Sequence, residues 1–195
     1  MSRDRERARR RFLHAALVLP FVSVRPASAQ ALPPTPSCGE KPARTPAQTA
    51  GPFYTPDSPR RTSLIEPGAD GERLLVSGFV LSPQCAPVAN ALLDFWHCDA
   101  AGDYDNTGYR YRGHLFSDAQ GRYRLETIVP GEYPGRTRHI HVKVQAPGGR
   151  ILTTQLYFPD EPRNRSDGIY RPELTMHVTG ESGRRSARFD FVVAA

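Results

Sequence analysis

The stretch VPGEYPGRTRHIHVKVQ, residues 129–145, changes character near Arg138. Ahead of it, proline and glycine recur too often for a helix. Beyond it, Ile140, Val142 and Val144 alternate with His139, His141, Lys143 and Gln145. Period-two alternation predicts a strand whose faces differ. The β-branched face belongs to a core. The other face carries two imidazoles, close enough to grip one metal ion, or simply two polar groups turned to solvent.

Working outward, the same grammar repeats. Leu74–Val80, Ala91–Trp96, Tyr123–Ile128, Ile151–Phe158 and Arg188–Val192 read as further short strands, separated by Gly/Pro turns such as PGADGE, DAQG and APGGR. No window of 12 residues has convincing helical spacing. The expected fold is all-β, an antiparallel β-sandwich with long active-site loops and an extended N-terminal arm. Residues 98–112 and 159–172 are the two long irregular stretches, and long loops on a rigid scaffold usually carry function.

A chain of 195 residues suffices for one domain. Residues 1–29 have a basic start, an apolar run from Ala15 to Val24 and an Ala27-Ser28-Ala29 cleavage pattern, and predict a signal peptide. Arg9-Arg10-Arg11-Phe12-Leu13 and Arg25 suit the twin-arginine route, so the expected location is periplasmic or secreted. Proteins on that route fold before export, often around a metal. The apolar run is too short to span a bilayer, so no stable membrane association is expected after export. Taking the segment's net +5 from the chain's +6 leaves about +1, and no basic patch for nucleic acid. The organisation expected is a signal peptide over 1–29, a Pro-rich arm over 30–72 and a catalytic sandwich over 73–195. Three cysteines, Cys38, Cys85 and Cys98, leave an odd thiol in an exported chain. Pairing of Cys38 with Cys85 would free Cys98.

Two histidines do not complete a metal site. Asp94, Asp99, Asp103 and Asp105 offer carboxylates, although several read as loop solvation. Tyr104, in DAAGDYDN, and Tyr133, in PGEYPG, offer phenols. A phenol ligates only where a strong Lewis acid such as a ferric ion removes its proton. Two phenolates and two neutral imidazoles would cancel two of iron(III)'s three charges. The residues permit this set without requiring it.

Four blocks in order, TPAQTAGPFYTP (45–56), DFWHCDAAGDYDN (94–106), SDAQGRYRLETIVPGEYPGRTRHIHVKV (117–144) and LTTQLYF (152–158), resemble the intradiol ring-cleavage dioxygenases. The chain looks like an exported member without the long helical N-terminal segment of the catechol type. The resemblance implies a non-haem Fe(III) held by Tyr104, Tyr133, His139 and His141. It also implies intradiol cleavage of a catechol-type substrate, with both atoms of O2 entering a cis,cis-muconate-type diacid. On this likeness Tyr133 is the displaceable ligand, Arg136 steadies negative charge on the substrate ring, and Gln155 orients substrate or supports the metal's surroundings. Gly135 stands where protocatechuate-type members have an aromatic residue, which implies a more open pocket. The AGPFY segment is expected to line the site, and His97 to be packed. The pattern leaves the particular catechol unspecified, and a homo-oligomer is neither required nor excluded. Two other sandwiches compete: a copper–zinc superoxide dismutase, which needs further histidines, and a catalytically inactive transthyretin-like binding module, which would have lost a ligand.

Overall fold

The computed structural model describes residues 43–181 and 183–194. The expected signal peptide and Cys38 lie outside the described residues. Cys85 is disulfide-bonded, and Cys98 is a free, buried thiol.

Among the described residues nine strands form two sheets. They are β1 (Arg73–Leu81), β2 (Leu92–Trp96), β3 (Arg112–Phe116), β4 (Arg122–Ile128), β5 (His139–Gln145), β6 (Leu152–Tyr157), β7 (His177–Glu181), β8 (Arg184–Arg188) and β9 (Phe191–Val192). The first sheet runs β4-β1-β8-β7, with β9 also on β1; the second runs β3-β2-β5-β6. Pairing is antiparallel except where β8 and β9 lie parallel to β1. Leu74, Val76, Tyr123, Leu125 and Ala187 of the first sheet meet Leu93, Phe95, Ile140, Val142, Val144 and Leu156 of the second in one core. Each buried Val, Leu, Ile or Phe among them contributes about 1.5–3 kcal/mol by leaving water. Among the described residues no helix is long and apolar enough to cross a membrane.

The expected strands are present, with two differences. The segment Arg188–Val192 is not one strand but β8 and β9, interrupted at Phe189 and Asp190. Asp190 Oδ1 accepts the Phe79 N–H at 3.0 Å, and Phe189 N–H donates to the Ser77 carbonyl at 3.0 Å. Gly78 makes this close passage feasible, since a Cβ there would lie 1.8 Å from the Phe189 oxygen. The second difference is that β3 and β7 have no alternating signature. The irregular stretch 159–172 contains two 3₁₀ turns, Pro162–Arg165 and Pro172–Leu174.

Residues 43–72 carry isolated bridges only, yet residues 46–61 are bonded along the second sheet, while Thr45 and residues 62–64 bond β9 and β4 of the first. Gln48 N–H donates to Thr153 O at 2.7 Å, and Thr154 Oγ1 donates to Pro46 O at 2.8 Å. Buried Asp94 accepts Tyr54 Oη at 3.1 Å and Ser58 Oγ at 2.7 Å. The Lys143 ammonium lies 3.1 Å from the centre of the Tyr54 ring. Arg61 N–H donates to His114 O at 2.9 Å. The arm thus roofs the face of the second sheet that points away from the core.

Candidate active site

His139 and His141 stand on β5 opposite Ile140, Val142 and Val144, as the alternation predicts. Under the arm they are buried, at 4% and 3% exposure. Register surrounds them: β2 sets Trp96 beside His141, while β6 sets Gln155 beside His141 and Tyr157 beside His139. The Trp96 indole stacks flat on His141, with centroids 4.8 Å apart and planes within 3°. From the arm, Gly51 (φ +67) passes so close that a Cβ would be 3.5 Å from His141 Cε1.

The two Nε2 atoms face each other at 3.1 Å. His139 Nδ1 is 2.6 Å from Thr137 O, so Nδ1 carries the proton and Nε2 presents a lone pair. Burial lowers the pKa of His139 to about 4, against the opposing hydrogen bond to Thr137. Burial, then the neighbouring His139 and Arg136, holds His141 well below its ordinary range. Both rings are neutral at physiological pH.

Tyr104 arrives on the loop after β2 and Tyr133 on the loop before β5. These loops touch backbone to backbone. Gly131 N–H donates to Asp99 O at 2.7 Å, and a Cβ on Gly102 (φ +97) would sit 2.4 Å from Glu132 O. The phenol rings consequently meet edge to face at 5.9 Å, and Tyr104 lies 6.4 Å from His141. Phe53 of the AGPFY segment stacks on Tyr104 at 4.4 Å and meets Tyr133 edge-on at 5.3 Å. The Tyr104 hydroxyl is buried with no hydrogen-bond partner, as is His141 Nδ1. Burial raises the Tyr104 pKa, opposed by the Arg136 and Arg112 cations. An orphaned buried hydroxyl costs about 1–3 kcal/mol. Arg112, 1% exposed, ties the loop to the arm: Nε and Nη2 donate to Asp105 O at 3.0 and 2.7 Å, and Nη1 to Phe53 O at 2.6 Å.

Arg136 and Gln155 join one network. Arg136 Nη2 donates to Gln155 Oε1 at 2.6 Å, and Gln155 Nε2 donates to Thr49 O at 2.9 Å. Arg136 Nε donates to Asp167 Oδ2 at 2.9 Å.

Three of the four carboxylates left open by the sequence are engaged elsewhere, and Asp103 is exposed. Asp94 anchors the arm. Asp99 accepts the Ala101 and Asp103 N–H groups and the Arg110 guanidinium. Asp105 accepts the N–H groups of Thr107, Gly108 and Arg110. Among the described residues no three His, Cys, Asp or Glu side chains could hold a metal together. A metal at the histidine pair must therefore recruit donors of another kind, and the two phenols are adjacent. His97 is packed as expected, bonded to Thr127 Oγ1 at 2.7 Å and Cys98 O at 2.6 Å. His114 bonds Ser58 O at 2.7 Å, and His177 is exposed on β7. The further histidines a dismutase needs are not at the pair.

Sequence reasoning did not find Trp96, Arg112, Tyr157 or Asp167. Trp96 and Tyr157 follow once strand register is known. Asp167 has no local signal, because it reaches Arg136 across 31 positions.

Comparison with known proteins bears on this geometry. A dioxygenase family model matches residues 49–194. The chain belongs to the intradiol ring-cleavage dioxygenase family. It is 36% identical over 152 residues to the protocatechuate 3,4-dioxygenase beta chain of Burkholderia cepacia, covering 63% of this chain and 65% of that one. It is 29% identical over 157 residues to a catechol 1,2-dioxygenase of Candida albicans, covering 65% and 52%. Among solved structures, the dioxygenase domain of a dioxygenase carbohydrate-binding protein fusion from Streptomyces sp. SirexAA-E is 53% identical. It has a TM-score of 0.76 and covers 78% of this chain and 99% of that one. The 3-chlorocatechol 1,2-dioxygenase of Rhodococcus opacus 1CP is 28% identical with a TM-score of 0.72, covering 80% and 74%. The chain spans about half the length of the catechol dioxygenases it matches, 52% and 54%.

Proposed function

We propose that this chain is an exported non-haem Fe(III) dioxygenase that opens a catechol-type ring between its two hydroxyl-bearing carbons. Both atoms of O2 enter the product, a cis,cis-muconate-type diacid. One observation carries the reading: two neutral imidazoles aim Nε2 at each other across 3.1 Å, beside a buried phenol whose oxygen has no partner. A shared cation in reach of those atoms would satisfy all three, and the donor set fits a hard, strongly acidic ion.

Tyr104, Tyr133, His139 and His141 are the residues that would hold the iron. The ferric ion would supply the Lewis acidity that ionises the phenols and draws electron density from a bound catecholate. Tyr133, half-buried on its loop, takes up at its phenol oxygen a proton released by a catechol hydroxyl. Arg136 cannot be deprotonated and favours negative charge on the ring facing it. Gln155, fixed by its bonds to Arg136 and Thr49, orients the substrate. Phe53 and Trp96 exclude water from the donors. Residues 43–61, within the arm expected over 30–72, roof the catalytic domain 73–195, and residues 1–29 direct export to the periplasm or beyond. An inactive binding sandwich would have lost a donor residue, and this chain keeps Tyr104, Tyr133, His139 and His141 in its sequence.

The test is iron analysis and absorption of the purified protein, with oxygen uptake on a panel of catechols. A wine-red, iron-bearing protein releasing intradiol products is the expected outcome. Tyr104→Phe should weaken and shift the tyrosinate absorption, leaving only the Tyr133 contribution, and cut turnover by more than about 100-fold, beyond the usual effect of losing an outer partner. An iron-loaded protein that stays colourless, or that gives extradiol products, would refute the assignment.

A further inference from the structure

The geometry points to Asp167 as the positioning residue that fixes the guanidinium of Arg136 toward the substrate. Its catalytic consequence rests on the reading of Arg136 given above; the pinning itself does not.

Asp167 sits on the loop between β6 and β7, just after the first 3₁₀ turn, with its side chain only 3% exposed. Every oxygen lone pair that matters is directed. Oδ2 accepts Arg136 Nε at 2.9 Å and the Thr137 N–H at 2.9 Å, while Oδ1 accepts the Ile169 N–H at 3.1 Å. Those donors outweigh burial and keep the carboxylate below its ordinary pKa. The opposite corner of the guanidinium is equally held, since Nη2 donates to Gln155 Oε1 at 2.6 Å and lies 3.5 Å from Tyr157 Oη. A planar fork gripped at Nε and Nη2 has its plane and direction set. Nη1 has no protein partner among the described residues, so it is the edge offered to a ligand. The Arg136 side chain keeps 19% of its exposure. A cation on a flexible stem would otherwise sample many rotamers. Fixing it lets its charge act without reorganisation as negative charge grows on the substrate. The competing route runs through Thr137, whose N–H donates to Asp167 and whose carbonyl accepts His139 Nδ1.

The experiment is a double-mutant cycle on the iron-loaded enzyme, with D167N, R136Q and the pair. D167N keeps the shape and one oxygen for Arg136 Nε and the Thr137 N–H, but loses the charge and the acceptor for the Ile169 N–H. Expected are a kcat loss of about 10–100-fold in D167N, about 100–1,000-fold in R136Q, and a double mutant within about threefold of R136Q alone. KM, iron content and the tyrosinate colour of D167N should stay near wild type. Effects that multiply in the double mutant overturn the proposal. Lost iron or colour in D167N also overturns it, because Asp167 would then act on His139 through Thr137. Should D167N not fold, R136K asks the same question, since an ammonium cannot hold both corners; wild-type turnover in R136K overturns the proposal. A readout independent of turnover is hydrogen exchange at the Arg136 Nε–H, followed by NMR. Protection in the native protein is expected. Fast exchange there refutes the pinning whether or not any catechol is cleaved, whereas protection without cleavage refutes only the catalytic reading.

Discussion

The two sheets share a sequence grammar and differ in what lies outside them. On β4 of the first sheet the alternation means what it usually means: Tyr123, Leu125 and Thr127 are buried, and Arg124 and Glu126 are exposed. On β5 of the second sheet the same alternation is buried on both faces through His139, Ile140, His141 and Val142. The cause is the arm. Without residues 43–61 across it, that polar face would be ordinary solvated surface; residues 62–64 turn instead to the edge strand β4 of the first sheet. With the arm in place, imidazoles, an amide and a carboxylate lie where unpaired polar groups are costly and electrostatic interactions are strong. Polar residues in a strand become a site when a separate segment covers them.

The largest expected effect on stability comes from loosening that cover. Arg112→Ala removes the guanidinium that joins Phe53 O of the arm to Asp105 O of the Tyr104 loop. It leaves two carbonyls short of donors and a cavity in a buried place. A loss of about 3 kcal/mol is expected, read as a shift of the urea midpoint at constant slope. Limited proteolysis should then cut residues 43–66 first. If the midpoint shifts by less than about 1 kcal/mol, the roof does not depend on this residue.

How much of this was legible follows from which interactions are local. Period two along β5 reveals the histidine pair, because neighbours on a strand alternate by geometry. The turn chemistry of DAQG and APGGR reveals where strands end. What stays hidden is long-range. The meeting of the Tyr104 and Tyr133 loops depends on Gly102 passing against Glu132, and nothing near either residue signals it. β3 is opaque because its first residue, Arg112, is a buried cation satisfied by carbonyls, which reads as surface. β7 is exposed, and Gly180 (φ +103) breaks its pattern. The split of Arg188–Val192 turns on the contact of Gly78 with the Phe189 carbonyl, which one strand read alone cannot disclose. Asp167 belongs to the same class, a single residue on a polar loop whose partner is far away in the chain.

His97 links the sheets and gives the comparison a pH axis. It follows β2 in the second sheet, and its Nε2 bonds Thr127 Oγ1 on β4 of the first at 2.7 Å. Burial, partly offset by the hydrogen bond to the Cys98 carbonyl, lowers its pKa from 6.5 to about 4. Below pH 6.5 the unfolded chain therefore binds a proton that the native state refuses. Stability is fully present above about pH 6.5 and falls as the pH drops toward 4. By pH 5 this residue alone accounts for about 2 kcal/mol. Urea unfolding of wild type and His97→Gln at pH 7 and pH 5, in the same metal state, isolates the contribution. The variant should lose about 2 kcal/mol less than wild type over that interval. Equal losses would mean that His97 titrates in the fold as it does in the unfolded chain.

The smallest expected effect belongs to the uncovered sheet and serves as the control for the rest. Arg124 projects from β4 and pairs with Glu126 at 2.9 Å, with 42% and 49% of the two side chains exposed. Exposed pairs of this kind gain little Coulomb energy in water, lose side-chain entropy and are screened by salt. Arg124→Ala should move stability by less than about 0.5 kcal/mol and leave turnover unchanged, with no dependence on added salt beyond that of wild type. A larger loss would mean that something else rests on the arginine-bearing face of the first sheet. The contrast would then lie between two covered faces, and the arm would no longer be what sets the histidine-bearing sheet apart.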